Sequence, residues 1–439
     1  MSNFRVIIIG GGLSGPLLGN GLLKNGVDFV LYERDSEDSK YEGYQIRLGD
    51  GAMRGFSACL TQSHTEAILR KLGKSANSAQ TAPSIFTSRF EQLVDFSKVP
   101  SYSKSSAINR VVLRDLLMEP IKASKRVRYQ KEFSSYEIIH DKDGSEKVKV
   151  NFRDGSSDTC DVLIGTDGSR SKINRQIGLN NLVTLKSHWG FLVKGKLPYT
   201  RVLELPEHLR KGPIIVLSKR VSLYYALYLP EDFSGSRSFN DTKSVISYDE
   251  SAASYYWGLN VPVEMIPDNK IENVKDRRQF CLDVIKDWAP EYHQMLSVGK
   301  GDEGASDMHV TMITASTEPS LKWREKVQKG AVAGEGHPRV WLAGDAIHAM
   351  QPNRGQGGNQ SLSDCADLLP QLLNLHSLSK KTSRPPPNQA IITACAEYEA
   401  AMIPRAFNWV RKSGGSSYPV SKCVAVSICN CYFCAATYR

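Results

Sequence analysis

The feature that most limits what this chain can become lies in its first 34 residues, where an apolar run, Val6-Ile7-Ile8-Ile9, meets Gly10-Gly11-Gly12-Leu13-Ser14-Gly15. A second apolar run, Val27 to Tyr32, ends at Glu33. Strand, glycine-rich turn, helix, strand and acid, in that order, specify a parallel βαβ unit that binds a nucleotide. Gly10 allows the tight turn out of the first strand, Gly12 lets a pyrophosphate approach the backbone, and Gly15 lets the helix pack closely on the sheet. The helix that begins at Leu13 and Ser14 points its free N–H groups at the phosphates. Glu33, 18 residues beyond Gly15, stands where a carboxylate accepts hydrogen bonds from both ribose hydroxyls of an adenosine and repels a 2′-phosphate. The expected dinucleotide is therefore FAD or NAD rather than NADP, although Arg34 beside the acid weakens that exclusion.

At 439 residues with 41% hydrophobic content, the chain is long enough for two closely packed domains with sizeable cores. The net charge of +10 comes from 56 basic and 46 acidic residues spread along the chain. No block of five or six Lys/Arg and no basic segment interleaved with aromatics occurs, so a nucleic-acid partner is not expected. Met1 is followed almost at once by the first strand, which leaves no room for a secretory signal and predicts a cytoplasmic protein. The nine cysteines are too sparse for a disulfide framework. Cys59, Cys160, Cys281, Cys365 and Cys395 fall singly in segments that read as core, where they should be reduced and buried.

After a polar stretch, Asp35 to Lys40, residues Gly43 to Leu48 alternate like a strand and carry Arg47, and a helix is expected from about Gly51. Residues 73–106 read as an irregular excursion with short strands. A helical pattern then begins at Ile108, with Arg110 at its start, placed to meet an anion or a ring edge. Lys147 to Phe152 and the turn Arg153-Asp154-Gly155-Ser156 form a hairpin. A buried strand, Val162-Leu163-Ile164, then runs into Gly165-Thr166-Asp167-Gly168, setting a carboxylate at the sheet edge where open α/β sheets bind ligands. Residues 183–270 read as an antiparallel sheet rich in aromatics, one face of which would line a pocket for a flat apolar ligand. Because Tyr224 and Tyr225 point in opposite directions, only one of them can enter that pocket. A further helix is expected around Asp276 to Trp288.

A third motif completes the pattern. Val340-Trp341-Leu342-Ala343-Gly344-Asp345 is a buried strand ending in Gly-Asp, followed by His348, Pro352 and Asn353-Arg354-Gly355-Gln356-Gly357-Gly358-Asn359, which opens an apolar helix to about Leu375. Glycines at that helix start bring backbone N–H donors close to negative charge. All three motifs, in this order, resemble those of the single-component FAD-dependent aromatic monooxygenases, the p-hydroxybenzoate hydroxylase-like class, and within it the salicylate hydroxylase-like branch of fungal and bacterial secondary metabolism. The resemblance covers roughly residues 3–412. It implies an α/β (α+β) fold with a Rossmann-type FAD-binding domain, an inserted antiparallel-sheet substrate domain and a C-terminal helix. The expected parts are a FAD-binding first part at 1–182 with a short insertion near 73–106, a mainly β substrate-binding domain at 183–330, a second FAD-binding part with packing helices at 331–415, and a Cys-rich tail at 416–439.

By the same resemblance Gly10, Gly12, Gly15 and Glu33 hold the ADP half of FAD, while Arg110 contacts the flavin side. Asp167-Gly168 serves both FAD and NAD(P)H pyrophosphate. Asp345 binds the ribityl or pyrophosphate portion, and Gly355, Gly357, Gly358 and Asn359 lie against the pyrimidine edge of the ring with Pro352 beside its reactive face. The class usually carries Arg three residues after the motif serine, where this chain has Asn174 followed by Arg175. The implied reaction uses NAD(P)H and O₂, through a C4a-hydroperoxyflavin, to hydroxylate or epoxidise an electron-rich aromatic or heteroaromatic metabolite. No second Gly-rich βαβ unit is present, so the nicotinamide would bind transiently to the same domain. His348, Arg47, Tyr224 and Pro352 are the candidate catalytic residues, His348 as a base and Arg47 as a substrate anchor or flavin contact.

Rival readings are a Baeyer–Villiger or oxidase-type flavoenzyme on the same fold, and an NAD-dependent dehydrogenase, which leaves Asp167-Gly168 and Gly344-Asp345 without a role. A flavin halogenase would need a Trp-x-Trp-x-Ile-Pro signature that this chain lacks. Residues 383–388 form a stiff linker into a helix from about Gln389 to Lys412 that packs on the FAD domain and ends at Gly414-Gly415. Cys423, Cys429, Cys431 and Cys434 lack a second spaced pair, so no metal is expected. The apolar tail, Val424 to Ala436, is too short to span a bilayer and is a candidate for weak membrane contact.

Overall fold

In a computed structural model the described residues are 4–37, 39, 45–72, 83–98, 106–140, 145–198, 201, 204–210, 213–218, 220–228, 252–299, 308–330 and 332–417. The cysteines expected in a tail, and that tail's apolar stretch, lie outside them.

The opening βαβ unit forms the middle of a five-stranded parallel sheet, ordered Val340–Leu342, Val162–Gly165, Arg5–Ile9, Asp28–Tyr32 and Val127–Arg128. Its central strands are apolar at consecutive positions because both faces are covered, one by helices and the other by the three-stranded antiparallel sheet Phe133–His140, Glu146–Phe152 and Ser157–Cys160, and Val6, Ile7, Ile8, Val162, Leu163 and Ile164 are fully buried. The helix Ser14–Lys24 packs against this sheet through Leu17, Leu18 and Leu22. All three glycine-containing motifs leave the sheet at its C-terminal edge, the edge where such sheets bind ligands.

The helix Gly357–Thr382 is a full two turns longer than the apolar pattern indicated, because its end is polar and partly exposed. It packs on the helices Ser14–Lys24 and Asp50–Cys59. The helix Asn388–Lys412 returns across the sheet, where Tyr398 stacks on Trp341 with ring centroids 5.8 Å apart and donates to the Leu342 carbonyl at 2.7 Å. Gly414 and Gly415, both at positive φ, end the helix as expected.

A second hydrophobic cluster is built on a seven-stranded sheet, ordered His309–Thr311, His188–Pro198, Ala252–Pro262, Val221–Tyr228, Ile214–Ser218, Ser84–Phe86 and Gln92–Asp95. Every pairing is antiparallel except that between Ser84–Phe86 and Ile214–Ser218. Here the structure corrects one expectation. The strands within 73–106 are not an independent excursion; Ser84–Phe86 and Gln92–Asp95 extend the large sheet at its edge. Their apolar positions are too few for periodicity to assign them a partner. Phe191, Val193, Tyr225, Tyr255, Trp257 and Leu259 form the covered face, against the helices Arg277–Val284 and Pro290–Ser297. The alternate positions Leu192, Lys194, Tyr224 and Tyr256 are only half-buried.

Candidate active site: a cleft between the parallel sheet and the large sheet

Each glycine of the opening loop answers a different constraint. Gly10 turns the chain at φ +114, and a β-carbon there would lie 2.3 Å from the Thr166 carbonyl oxygen. At Gly15 a β-carbon would lie 2.2 Å from the Gly10 carbonyl oxygen, so the loop and the helix touch backbone to backbone. Thr166 braces the arrangement by donating from Oγ1 to the carbonyls of Ile9 and Gly10, each at 2.9 Å. Gly12 is the opposite case. Its nearest neighbour would be the Arg110 guanidinium at 3.8 Å, so its missing side chain leaves open space rather than relieving a clash.

Glu33 is buried, and its carboxylate accepts from the backbone N–H groups of Gly11 at 2.6 Å and Asp35 at 3.0 Å. A carboxylate has about four lone-pair sites, which leaves it acceptor capacity for hydroxyls. Arg34 points outward and pairs with Asp35 at 3.7 Å. The helix Arg110–Ala123, capped by Asn109, brings Arg110 to Gly12 and, one turn later, Arg114, whose Nε donates to the Gly11 carbonyl at 2.8 Å. Arg114 was not singled out from the sequence. Its i,i+4 spacing from Arg110 is the signal that would have found it.

Asp345 opens the short helix Asp345–His348, directly after Gly344. It is solvent-exposed, yet it lies deep enough that the surrounding protein raises its carboxyl above the usual carboxylate range, with His348 and Arg110 pulling the other way. A group that is both deep and open to water sits on the floor of a cleft. No protein donor bonds its carboxylate among the described residues. A β-carbon on Gly357 would touch Asp345 Oδ1 at 3.9 Å and Met350 at 3.8 Å, and one on Gly358 would touch Ile46 and Leu13 at 3.8 Å. Gly12, Arg110, Asp345 and the start of the helix Gly357–Thr382 thus face one another. Gly168, at φ +80, and Gly355, at φ +61, each have nothing within 4 Å of where a side chain would begin.

Tyr224 of the large sheet, within electrostatic reach of Arg47, is the candidate roof of this cleft. Its phenol is half-exposed but deep, pushed up to about 12 by burial, with the Arg47 charge opposing that shift. Arg47 lies on the strand Gln45–Leu48, so floor and roof come within electrostatic reach of each other. The Tyr224 ring lies 5.6 Å from that of Tyr256. Tyr225 points the other way and donates to the Leu209 carbonyl at 3.0 Å inside the core.

This geometry redirects three candidate side chains, those of His348, Asn359 and Asp167. His348 is fully buried, its Nε2 donates to Asp364 Oδ2 at 2.7 Å, and its ring meets Phe407 edge-on. That enclosure removes it from the reach of a substrate. The Asn359 side chain is also buried and saturated: its oxygen accepts from Gly49 at 2.8 Å and its amide donates to the carbonyls of Arg47 at 2.7 Å and Gly355 at 3.1 Å. It fixes the cleft wall instead of facing the cleft. Asp167 turns inward and accepts from the N–H groups of Lys172 at 2.9 Å and Ile173 at 3.4 Å at the start of the helix Lys172–Gln176, leaving the half-buried Gly168 as the open part of its motif. Pro352 is exposed at the rim in a single 3₁₀ turn. For the first three, the motif's place in the chain is readable from the sequence and the side-chain direction is not.

Asn174 is fully buried and donates to Asn181 Oδ1 and the Ala346 carbonyl, each at 2.8 Å. It therefore ties the Asp-Gly motif to the Asp345 helix. Arg170 and Arg175 lie close to it in the chain. Both line a separate cavity of about 590 Å³ together with Asn180, Trp189 and Thr311. Among the described residues neither arginine has an ion-pair partner. The five cysteines expected in the core, Cys59, Cys160, Cys281, Cys365 and Cys395, are buried and free. Among the described residues no cluster of three metal ligands occurs, and no helix is long and apolar enough to cross a membrane.

The model of the FAD binding domain family matches residues 3–198 and 306–378. The chloroplastic zeaxanthin epoxidase of Nicotiana plumbaginifolia is 24% identical over 408 residues, covering 90% of this chain and 52% of that protein. A dual O-methyltransferase/FAD-dependent monooxygenase of Cercospora beticola, CTB3, is 26% identical over 428 residues, 91% of this chain and 44% of that protein. The chain thus spans about half the length of these relatives. Among solved structures, Klebsiella pneumoniae HpxO complexed with FAD and uric acid has a TM-score of 0.64 at 19% identity, covering 93% of this chain and 87% of that one. This last likeness is one of fold.

Proposed function

Since the chain belongs to the FAD binding domain family and has FAD as its cofactor, we propose that it is a monooxygenase drawing electrons from NAD(P)H and inserting one atom of O₂ into an electron-rich aromatic or heteroaromatic metabolite. The observation that carries this reading is Asp345: a deep, solvent-open carboxylate without a protein donor among the described residues, flanked by Gly12, Arg110 and a glycine-rich helix start. These residues fit FAD. Glu33 would accept from the adenosine ribose, Gly12 and the helix beginning at Ser14 would meet the pyrophosphate, and Arg110 would offset its charge. Asp345 would accept from the ribityl hydroxyls. Bound FAD supplies hydride acceptance and oxygen activation.

The chain's own contribution is placement and electrostatics. The N–H groups at Gly357 and Gly358 would stabilise negative charge on the pyrimidine edge of the ring, at the positive end of a helix dipole. Tyr224 and Tyr256 would hold a flat substrate above it, and Arg47 would orient a polar group at the end of that substrate. The cavity holding Arg170, Arg175 and Trp189 offers two cations and an aromatic ring to the phosphates and base of NAD(P)H. On this reading the seven-stranded sheet is the substrate-binding part and the parallel sheet the cofactor-binding part. The names of the relatives, an epoxidase and a monooxygenase, support oxygen transfer.

The test is NAD(P)H oxidation by the purified protein, first alone and then with phenols, polyketide aromatics and indole alkaloids under isotopically labelled O₂. Slow basal oxidation, acceleration by one of these compounds and a product heavier by one labelled oxygen are expected. A dehydrogenated product without oxygen from O₂ would replace the reading with an oxidase or dehydrogenase.

A further inference from the structure

We infer that Asp364 is a positioning residue for the cofactor, acting through Asp345; this rests on the reading of the cleft as the FAD site. Asp364 lies in the helix Gly357–Thr382, is fully buried, and has both oxygens engaged. Its Oδ2 accepts from the Gly344 N–H at 2.7 Å and from His348 Nε2 at 2.7 Å. Gly344 immediately precedes the short helix Asp345–His348 and His348 ends it, so one carboxylate oxygen grips both ends of the element that carries Asp345. A helix of four residues is far below the length at which helices hold themselves together. Its shape must be imposed from outside.

The Gly344 turn is the hinge of this grip. It has φ +62, and a β-carbon there would lie 2.9 Å from Ser361 Oγ and 3.0 Å from Ser14 Oγ, between the N-terminal parts of two helices. The other oxygen, Oδ1, accepts from Arg405 on the helix Asn388–Lys412 at 2.7 Å, and Arg405 is itself held by Asp367 at 2.8 Å and Gln360 at 2.6 Å. Burial alone would raise the Asp364 carboxyl, but His348 and Arg405 together hold it below the usual range, so it acts as an anionic acceptor for all three donors. His348 thereby has a role that its enclosure had denied it as a base: it is one of the two handles by which Asp364 aims Asp345 into the cleft. A local arrangement fixed this rigidly is what a carboxylate needs in order to accept from hydroxyls without reorganising.

The experiment is a double-mutant cycle read as FAD Kd, by flavin fluorescence quenching on titrating FAD into protein stripped of flavin. Asp345→Ala is expected to weaken FAD binding roughly ten- to a hundredfold, and Asp364→Ala at least roughly tenfold. The double variant should bind within roughly threefold of Asp345→Ala alone, because Asp364 has nothing left to position. Effects that multiply, or an Asp364→Ala protein that is less heat-stable but keeps the wild-type Kd, would overturn the inference. Should Asp364→Ala not fold, Asp364→Asn keeps the shape and one acceptor oxygen. It is expected to lose roughly three- to tenfold in Kd, and an unchanged Kd would overturn the inference equally. Wild-type protein that takes up no FAD would overturn the reading of the cleft together with this inference, whereas FAD-binding wild type with multiplying effects overturns the inference alone.

Discussion

The floor and the roof of the cleft are built on opposite principles. The floor is made of absences: Gly12, Gly357 and Gly358 are positions where a missing side chain leaves backbone open, with one carboxylate, Asp345, standing among them. The roof is made of side chains, with Tyr224 and Tyr256 projecting from the half-buried face of a sheet whose other face is packed core. Backbone donors treat every molecule of one cofactor alike, whereas projecting side chains distinguish one substrate from another. A floor of this kind recurs with the cofactor, and a roof of this kind changes with the substrate.

The contrast is sharpest among the glycines. Gly15→Val is expected to prevent folding, because its side chain would begin 2.2 Å from the Gly10 carbonyl oxygen. Gly12→Val, meeting only Arg110 at 3.8 Å, should fold and lose FAD binding by more than roughly a hundredfold. Circular dichroism and flavin retention after gel filtration check both. A folded, flavin-bearing Gly12→Val protein would break the division between packing glycines and cleft glycines.

Asp345→Ala follows in size, with about 1.5–3 kcal/mol of FAD binding lost and the apo fold retained. Its pH behaviour has a definite sign. Because burial raises the folded-state carboxyl, ionising Asp345 destabilises the apoprotein, and stability is lost as pH rises through that raised value. Apo Asp345→Asn should therefore be more heat-stable than wild type at neutral pH, with the advantage shrinking to nothing below about pH 4, the range of an unperturbed Asp. Melting curves across that interval measure it, and a difference independent of pH would contradict the cleft-floor assignment.

At the roof, Tyr225→Phe should cost about 1 kcal/mol of stability through the lost bond to Leu209 and leave substrate response unchanged. Tyr224→Ala should leave stability and FAD affinity within a factor of about two, and diminish the acceleration of NAD(P)H oxidation by substrate. Equal effects of the two tyrosines would break the contrast between core face and cleft face. A further effect concerns neither floor nor roof. Burial lowers His337 to about 4, so folding excludes its proton and stability falls as pH drops from about 6.5 toward 4. His337→Asn should flatten that acid limb, as seen in the pH dependence of the melting temperature.

The same contrast explains how much was legible in the sequence. Gly10, Gly12, Gly15, Glu33 and the Gly344-Asp345 strand end could be read because each occupies a backbone position fixed by strand, turn and helix in order. Asn359 and His348 belong to the same motif, yet their side chains serve the wall behind the cleft. Their destinations depend on Gly49, Arg47 and Asp364, residues distant in sequence or a full helical stretch away. The strands at 84–95 were recognisable as strands but not as members of the large sheet, since their partner, Ile214–Ser218, is more than a hundred residues on. Side-chain alternation correctly separated Tyr224 from Tyr225, without saying which one faced the cleft.

The most direct measurement is FAD content. The purified chain should show flavin absorbance corresponding to one FAD per chain, stripped protein should regain it on titration with FAD, and Gly12→Val of the same fold should do neither. A wild-type chain that is folded, colourless and unable to take up FAD would contradict the reading of the cleft as the FAD site.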